Sequence, residues 1–462
     1  MSDTNQLERG LKNRHVQLLA IGGAIGTGLF LGSGRAIHLA GPSILFAYLI
    51  TGLICFFVMR ALGELLLSNL NHHSFIDFVE DYLGDRAAFI TGWTYWFCWL
   101  SLAMADLTAV GLYMQYWIPW LPQWVPALVV LIALLLMNLT AVKHFGEMEF
   151  WFAMIKVVTI VLMIILGFLV ILLGFGNGGH PIGFSNLWAH GGFFTGGFKG
   201  FMFSMSIIVG SYEGIELLGI SAGEVANPQK AVVKSVKSVL FRILIFYVGA
   251  IFVIVTIYPW NQLDSVGSPF VETFAKVGIT AAASIINFVV LTAALSGANS
   301  GIYSSSRMLF RLAHEGNAPR LFGRLSKHVV PDAAILGISG GILIGFVLDI
   351  FAEYFSKSTA DLFVVVFSSS VLPGMIPWFV ILLAELRFRH HNPELMQDHP
   401  FKLPIYKFSN YFAFAMLIMI VVFMFINPDT RISVIVGAGV LVLAAIVYLC
   451  RNGLNGKKQA VK

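Results

Sequence analysis

The stretch Leu18–Gly34, LLAIGGAIGTGLFLGSG, decides how the chain is read. It is apolar enough to lie in a membrane, yet Gly22, Gly23, Gly26, Gly28, Gly32 and Gly34 interrupt it. Small residues spaced along a membrane helix let helices pack closely, but the glycines from Gly22 to Gly28 are denser than a packing face needs. Glycine frees the backbone to open. At membrane depth an opened turn is tolerable only where it lines protein or a watery cavity. A nucleotide loop is excluded by context, because no strand precedes the run and no Lys-Ser/Thr follows it.

A counterpart lies five spans further on, in Ser206–Glu224, SIIVGSYEGIELLGISAGE. There Gly210, Gly214 and Gly219 surround the polar cluster Ser211, Tyr212, Glu213 and Glu216. Interrupted helices at matching places in two halves point to an inverted-repeat transporter whose site lies near the bilayer midplane. Breaking a helix exposes amide N–H groups at the start of one piece and carbonyls at the end of the other, which gives opposite partial charges in one cavity. An amino acid zwitterion needs both. On this reading the amides of Gly26, Thr27 and Gly28 would meet a carboxylate. Carbonyls near Ala24 and from Gly210 to Glu213 would take an ammonium, with Gly214 lining the same site.

Composition frames these two stretches. The chain has 462 residues, 58% of them hydrophobic and only 11% charged, with mean hydropathy +0.82. A soluble domain carries about 25% charged residues. At roughly 20 apolar residues per crossing, about twelve spans fit and little remains for a separate catalytic domain. Apolar runs lie at about Val16 to Arg35, Pro42 to Leu66, Ala88 to Trp117, Trp124 to Val142, Phe150 to Leu173 and Phe198 to Gly223. The others run from about Val239 to Tyr258, Val277 to Ser304, Ala333 to Ile350, Thr359 to Leu383, Asn410 to Phe425 and Ser433 to Cys450.

Net charge is +5, but the basic residues are scattered among short loops, so nucleic acid is not the expected partner. Most of the 29 Lys and Arg fall on the side holding the termini, whereas Arg35, Lys199, Lys276, Lys357 and Arg431 fall on the other. That bias places both termini in the cytoplasm. Met1 to His15 is polar and lacks an apolar signal core, so the first span is expected to stay in the protein. Cys55, Cys98 and Cys450 show neither a disulfide framework nor metal spacing.

Ionisable residues at membrane depth are functional candidates by default. They are Lys156, Asp106, Glu216, Glu213, Arg60 and Glu64. Lys156 stands six residues inside the fifth span, in FWFAMIKVVTIVLMIILG, where withdrawal from water lets a lysine exchange its proton near neutral pH. It reads either as the proton-coupling residue or as a fixed charge in a structural pair. Asp106 and Glu216 could each pair with it or face the substrate path. Arg60 and Glu64, spaced i, i+4, read as a helical ion pair. Ser296, Asn299 and Ser300 in the eighth span offer supporting polar groups, and the early third-span aromatics Trp93, Tyr95, Trp96 and Trp99 read first as packing. There is no HExxH, no Gly-x-Ser-x-Gly elbow and no Cys/His cluster, so an enzyme, a metal and a cofactor are not expected.

At these residues the chain resembles the amino acid permeases of the amino acid-polyamine-organocation superfamily, in its bacterial amino acid transporter family. The resemblance covers nearly the whole chain. It rests on RHVQLLAIGGAIGTGLF, AGPSILFAYLI, MRALGELL, ITGWTYWF, FGEMEFWFAMIKV, GIELLGISAGEVANP, RILIFYVGAIFVIV, INFVVLTAALSGANSGIYSSSRMLF and LPGMIPWFVILL. Threonine/serine, proline and D-serine/D-alanine/glycine permeases look most similar.

What the resemblance implies is an all-α integral membrane protein with twelve spans. Two five-helix inverted repeats, about Val16 to Leu173 and Phe198 to Leu383, would have first and sixth helices broken, with two trailing helices at about Asn410 to Cys450. It also implies alternating access in a bacterial cytoplasmic membrane, with amino acid and protons as partners, surrounding lipid and no obligatory protein partner. Gly26, Thr27 and Gly28 match the carboxylate segment of the family, and Lys156 matches the lysine standing where sodium-coupled relatives hold a cation. Glu213 departs from the pattern, since many relatives of neutral specificity look uncharged there. The expected function is proton-coupled import of small neutral amino acids. An exchanger, an importer of cationic amino acids and a non-transporting sensor are the alternatives.

Overall fold

The computed structural model describes residues 25–70, 72, 74–140, 142–221, 228–263, 268–276, 280–355, 359–397 and 399–459. The described residues are helical, with connecting turns and no strand. Among them, nine helical segments are long and apolar enough to cross a membrane, and Trp124–Asn138 and Asp332–Val347 are shorter apolar helices. In a solvent that cannot satisfy backbone polar groups, a sequence this apolar is confined to helices.

Local chemistry sets the helix ends. The segment Gly32–Ser68 counts as one apolar stretch, but it is two helices, Gly32–Ala40 and Ile44–Ser68, hinged at Gly41-Pro42-Ser43. Gly41 has φ +59°, a left-handed conformation that favours glycine, and Pro42 follows at the start of the next turn. Ser43 Oγ caps the join by donating to Ala40 O at 2.7 Å. Further on, Ser74 and Asp77 form a capping box that starts the short helix Phe75–Leu83.

The central pair is Asp85–Gln115 against Thr280–His314, and small residues let their backbones approach. A Cβ at Gly301 would stand 2.7 Å from Ala103 Cβ and 2.9 Å from the Trp99 carbonyl. One at Gly297 would collide with the Asp106 carboxylate. This close approach is what small residues supply where apolar burial gives helices no mutual preference. The helices Tyr406–Ile426 and Arg431–Gln459 are peripheral, exposing Ile418, Val422, Phe425, Val442 and Leu443 as a lipid-facing surface does.

Two sequence expectations meet the structure here. Tyr95 packs edge-on against Phe75 at 5.5 Å, and Trp93 against Trp96 at 5.4 Å, so both belong to aromatic contacts. The expected Arg60–Glu64 ion pair is corrected. Glu64 takes a two-pronged bond from Arg389, with Nε to Oε1 at 2.7 Å and Nη2 to Oε2 at 2.6 Å, and also accepts from the Leu403 amide at 2.7 Å. Arg60 instead lies 3.8 Å from the centre of the Phe401 ring and donates to the Lys402 carbonyl. A planar guanidinium fork plus a buried amide outcompetes a single i, i+4 contact.

Candidate functional site

The first break is visible from Ile25 onward, and Ala24, like Gly22 and Gly23, lies outside the described residues. Gly26 is extended (φ −112°, ψ −170°) and a helical turn begins at Thr27. The Leu29 amide returns to Gly26 O at 3.2 Å, whereas the amides of Thr27 and Gly28 fall in the first turn, where a helix supplies no acceptor. Thr27 Oγ1 donates to Asp106, which ties this turn to the central helix pair.

The second break has its own geometry. The helix Gly197–Ile208 tightens into a 3₁₀ turn over Val209–Tyr212, Glu213 is extended (φ −57°, ψ 140°), and helix resumes at Leu217–Ser221. Gly214 has φ +98°, which requires glycine. Of the carbonyls expected to face an ammonium, that of Ser211 accepts the Tyr247 hydroxyl at 2.9 Å, and that of Gly210 accepts the Glu213 amide at 3.3 Å.

These two breaks meet. A Cβ at Gly28 would lie 3.0 Å from Ser211 Cα and 2.8 Å from Phe367 Cζ, and one at Gly210 would lie 3.1 Å from the same ring. Phe367 therefore covers both glycines, while the Cβ direction of Gly26 points into open space. Behind the second break, Tyr212 stacks on Tyr247 at 4.3 Å and 19°, and Tyr212 Oη donates to Tyr48 O at 2.9 Å. Tyr247 comes from a π-helical stretch, Ile243–Gly249, the kind of bulge that re-aims a side chain.

The acidic residues of the second break turn toward the helix Thr359–His391. Glu213 Oε2 accepts from Ser370 Oγ at 3.1 Å, and its carboxylate packs on Gly374, where a Cβ would also come within 3.0 Å of Cys98 Sγ. Among the described residues, Glu213 Oε1 is buried with no hydrogen-bond partner. Glu216 Oε2 accepts from the Trp378 indole at 3.0 Å.

Lys156 sits in a different cluster. Its ammonium donates to Ile25 O at 3.0 Å, in the first break, and to Ser296 Oγ at 3.0 Å. Ser296 donates onward to Glu149 Oε2 at 2.7 Å, and Asn299 Nδ2 donates to Glu149 Oε1 at 3.0 Å. Asn138 Nδ2 closes the string on Asn299 Oδ1 at 2.8 Å. The carboxylates acting on Lys156 are Glu149 and Asp106, whereas Glu216, which spacing alone left as a further partner, belongs to Trp378. Ser300 is buried beside this string, but its hydroxyl has no hydrogen-bond partner among the described residues.

Sequence reasoning missed Glu149, Asn138, Phe367, Ser370 and the tyrosine stack. Glu149 was within reach, because it precedes Lys156 by seven positions and so shares its helix face. Phe367 and Asn138 carry no such signal, one being an apolar residue in an apolar run and the other a helix end.

Touching helix breaks at membrane depth, with a buried lysine bound to the first, are features of a multi-pass membrane transporter. The amino acid permease family model matches residues 15–459, and the chain belongs to that family of multi-pass membrane transporters. It is 52% identical to the Bacillus subtilis protein named "Probable threonine/serine transporter YbxG", over 98% of this chain and 97% of that one. It is also 53% identical to amino-acid permease AapA of the same organism, over 96% and 95% of the two chains. Identity to the D-serine/D-alanine/glycine transporter of Escherichia coli K12 is 47%, over 93% and 91%.

Proposed function

We propose that this permease imports small neutral amino acids, of the threonine, serine, alanine or glycine kind, across a bacterial cytoplasmic membrane by proton symport. Its twelve spans would form two five-helix inverted repeats and two trailing helices, with both termini cytoplasmic, and Lys156 would carry the coupling proton. The observation that carries this reading is the contact between the two helix breaks, Gly28 against Ser211, next to the Lys156–Ile25 hydrogen bond.

The first-turn amides at Thr27 and Gly28 suit a carboxylate, and the unwound carbonyls suit an ammonium. Phe367, packed tightly over both glycines, argues for a small side chain rather than a large one. Alternating access then amounts to rocking one repeat around this fixed point. Because Lys156 holds the first break through a carbonyl, a change in its charge alters how firmly that break is held. The substrate names of the relatives, threonine/serine and D-serine/D-alanine/glycine, agree with a small neutral substrate.

The test is uptake of labelled amino acids into vesicles reconstituted with the purified permease, with and without an inward proton gradient. Accumulation of a small neutral amino acid that requires the gradient is the expected result. Exchange without net proton movement would refute symport, and binding without uptake would refute transport. One observation favours a second reading, import of cationic amino acids: Glu213 Oε1 is buried without a donor, and a cationic side chain would supply one. Competition by lysine or arginine, matched against serine, decides between the two.

A further inference from the structure

Glu149 and Lys156 lie on one face of the helix Val142–Leu173, seven residues and about 10 Å apart along its axis. Ser296 fills the interval. Its oxygen accepts from the Lys156 ammonium at 3.0 Å and its hydroxyl donates to Glu149 at 2.7 Å, which is the geometry of a one-residue proton relay. All three side chains are fully buried. Glu149 lies on the Lys143 side of Lys156, toward the start of the helix, which is the cytoplasmic end in the proposed orientation. Asn299 and Asn138 continue the polar string from Glu149.

We infer that Glu149 is the proton acceptor on the cytoplasmic side of Lys156. The inference rests on the proposed coupling role of Lys156. In the step, the N–H bond of the ammonium breaks as its proton bonds to the Ser296 oxygen, while the original Ser296 O–H bond breaks and its proton passes to Glu149 Oε2. Lys156 ends as a neutral amine, Glu149 as a neutral carboxylic acid, and Ser296 unchanged. Glu149 then gives its proton to cytoplasmic water.

The transfer has a mechanical consequence. A charge-assisted hydrogen bond is roughly twice as strong as a neutral one, so loss of the ammonium weakens the hold of Lys156 on Ile25 O and releases the first break. Asp106, from the Asp85–Gln115 helix, acts on Lys156 and holds Thr27. Arg307 lies 3.9 Å over the Tyr303 ring, which stacks on Phe145 at 4.0 Å, one turn below Glu149. Phe145 thus stands one turn from Glu149 on the side of the proposed cytoplasmic end.

The experiment compares Glu149→Gln, Ser296→Ala and Lys156→Ala in reconstituted vesicles, by gradient-driven accumulation and by substrate counterflow, which needs no net proton movement. Glu149→Gln is expected to lose accumulation down to the level of vesicles without a gradient, to keep counterflow, and to lose the pH dependence of counterflow. Glu149→Asp should restore part of the accumulation. Ser296→Ala keeps both ionisable groups and breaks only the bridge, so slowed accumulation with intact counterflow is expected. Wild-type accumulation by either Glu149→Gln or Ser296→Ala overturns the relay, as does equal loss of accumulation and counterflow in both. Should Glu149→Gln fail to fold, Ser296→Ala decides. Accumulation retained by Lys156→Ala would instead refute the coupling role itself, so the two failures are distinguishable.

Discussion

Two clusters of buried charge lie in this permease, and they are built on opposite plans. Around Glu64, Arg389 makes a direct fork, its Nε lies 2.7 Å from Glu385, and Asn410 donates to Glu385 at 2.7 Å. Around Lys156, the positive group is joined to Glu149 through the hydroxyl of Ser296, bonds a backbone carbonyl and also feels Asp106. The first plan maximises attraction and fixes geometry, because bidentate charged bonds are strong and directional. The second places between Lys156 and Glu149 a group that can both accept and donate, against the first helix break. A clamp and a switch thus differ in whether a hydroxyl able to pass a proton stands between the paired groups.

Lys156→Ala gives the largest expected effect and tests that distinction directly. It should abolish accumulation driven by a pH gradient while the protein still elutes as a folded monodisperse species in detergent. Loss of folding instead would make Lys156 a second clamp and erase the contrast. The opposite behaviour is expected at the other cluster. Arg389→Ala strands the buried carboxylates of Glu64 and Glu385, and unpairing a buried charge costs about 3–5 kcal/mol. Reduced expression and a lower thermal transition should follow, measured by fluorescence-detected gel filtration after heating. A normal thermal transition in Arg389→Ala would show that the fork is not what fixes this end of the bundle.

Part of this is legible in the sequence, and the rest is hidden for physical reasons. Dense glycine at Gly22–Gly28 and around Gly214 is readable because backbone opened at membrane depth must line protein or a watery cavity, which already points to a site. Lys156 is readable because an isolated charge in an apolar run stands out. Pairings across the bundle are not, since they depend on helix rotation. Spacing pairs Glu64 with its near neighbour Arg60, whereas its true partner lies 325 positions away in the sequence. Glu149 could be placed on the Lys156 face from spacing, but only the position of Ser296 between them reveals a bridge.

The glycines of the first break give a smaller and sharper comparison. Gly28→Ala must push its Cβ against the Ser211 backbone and the Phe367 ring, and overpacking of this kind costs about 1–3 kcal/mol. Substrate affinity should fall roughly 10- to 100-fold. Gly26→Ala meets open space and an extended conformation that any residue adopts, so equilibrium binding should change little. Equal losses in the two variants would mean that backbone opening, rather than the contact between the breaks, sets affinity.

The smallest expected effect belongs to Glu213→Gln, and it separates the two substrate readings. Glutamine keeps an acceptor for the Ser370 hydroxyl and nearly the same volume over Gly374, so the packing at that contact survives. What it removes is any negative charge at Oε1, the atom that has no donor. A neutral substrate does not need that charge. Its competition against labelled serine should therefore shift by no more than the net worth of one hydrogen bond, about 0.5–1.5 kcal/mol. A cationic substrate would lose a charged partner in a water-poor site and drop out of the competition series altogether. If lysine competes before the substitution and not after it, Glu213 is the specificity residue and import of cationic amino acids replaces the neutral reading. If the ranking of serine, threonine, alanine and glycine is the same in both proteins and lysine competes in neither, Glu213 is held by Ser370 as part of the wall, and side-chain size under Phe367 governs selection.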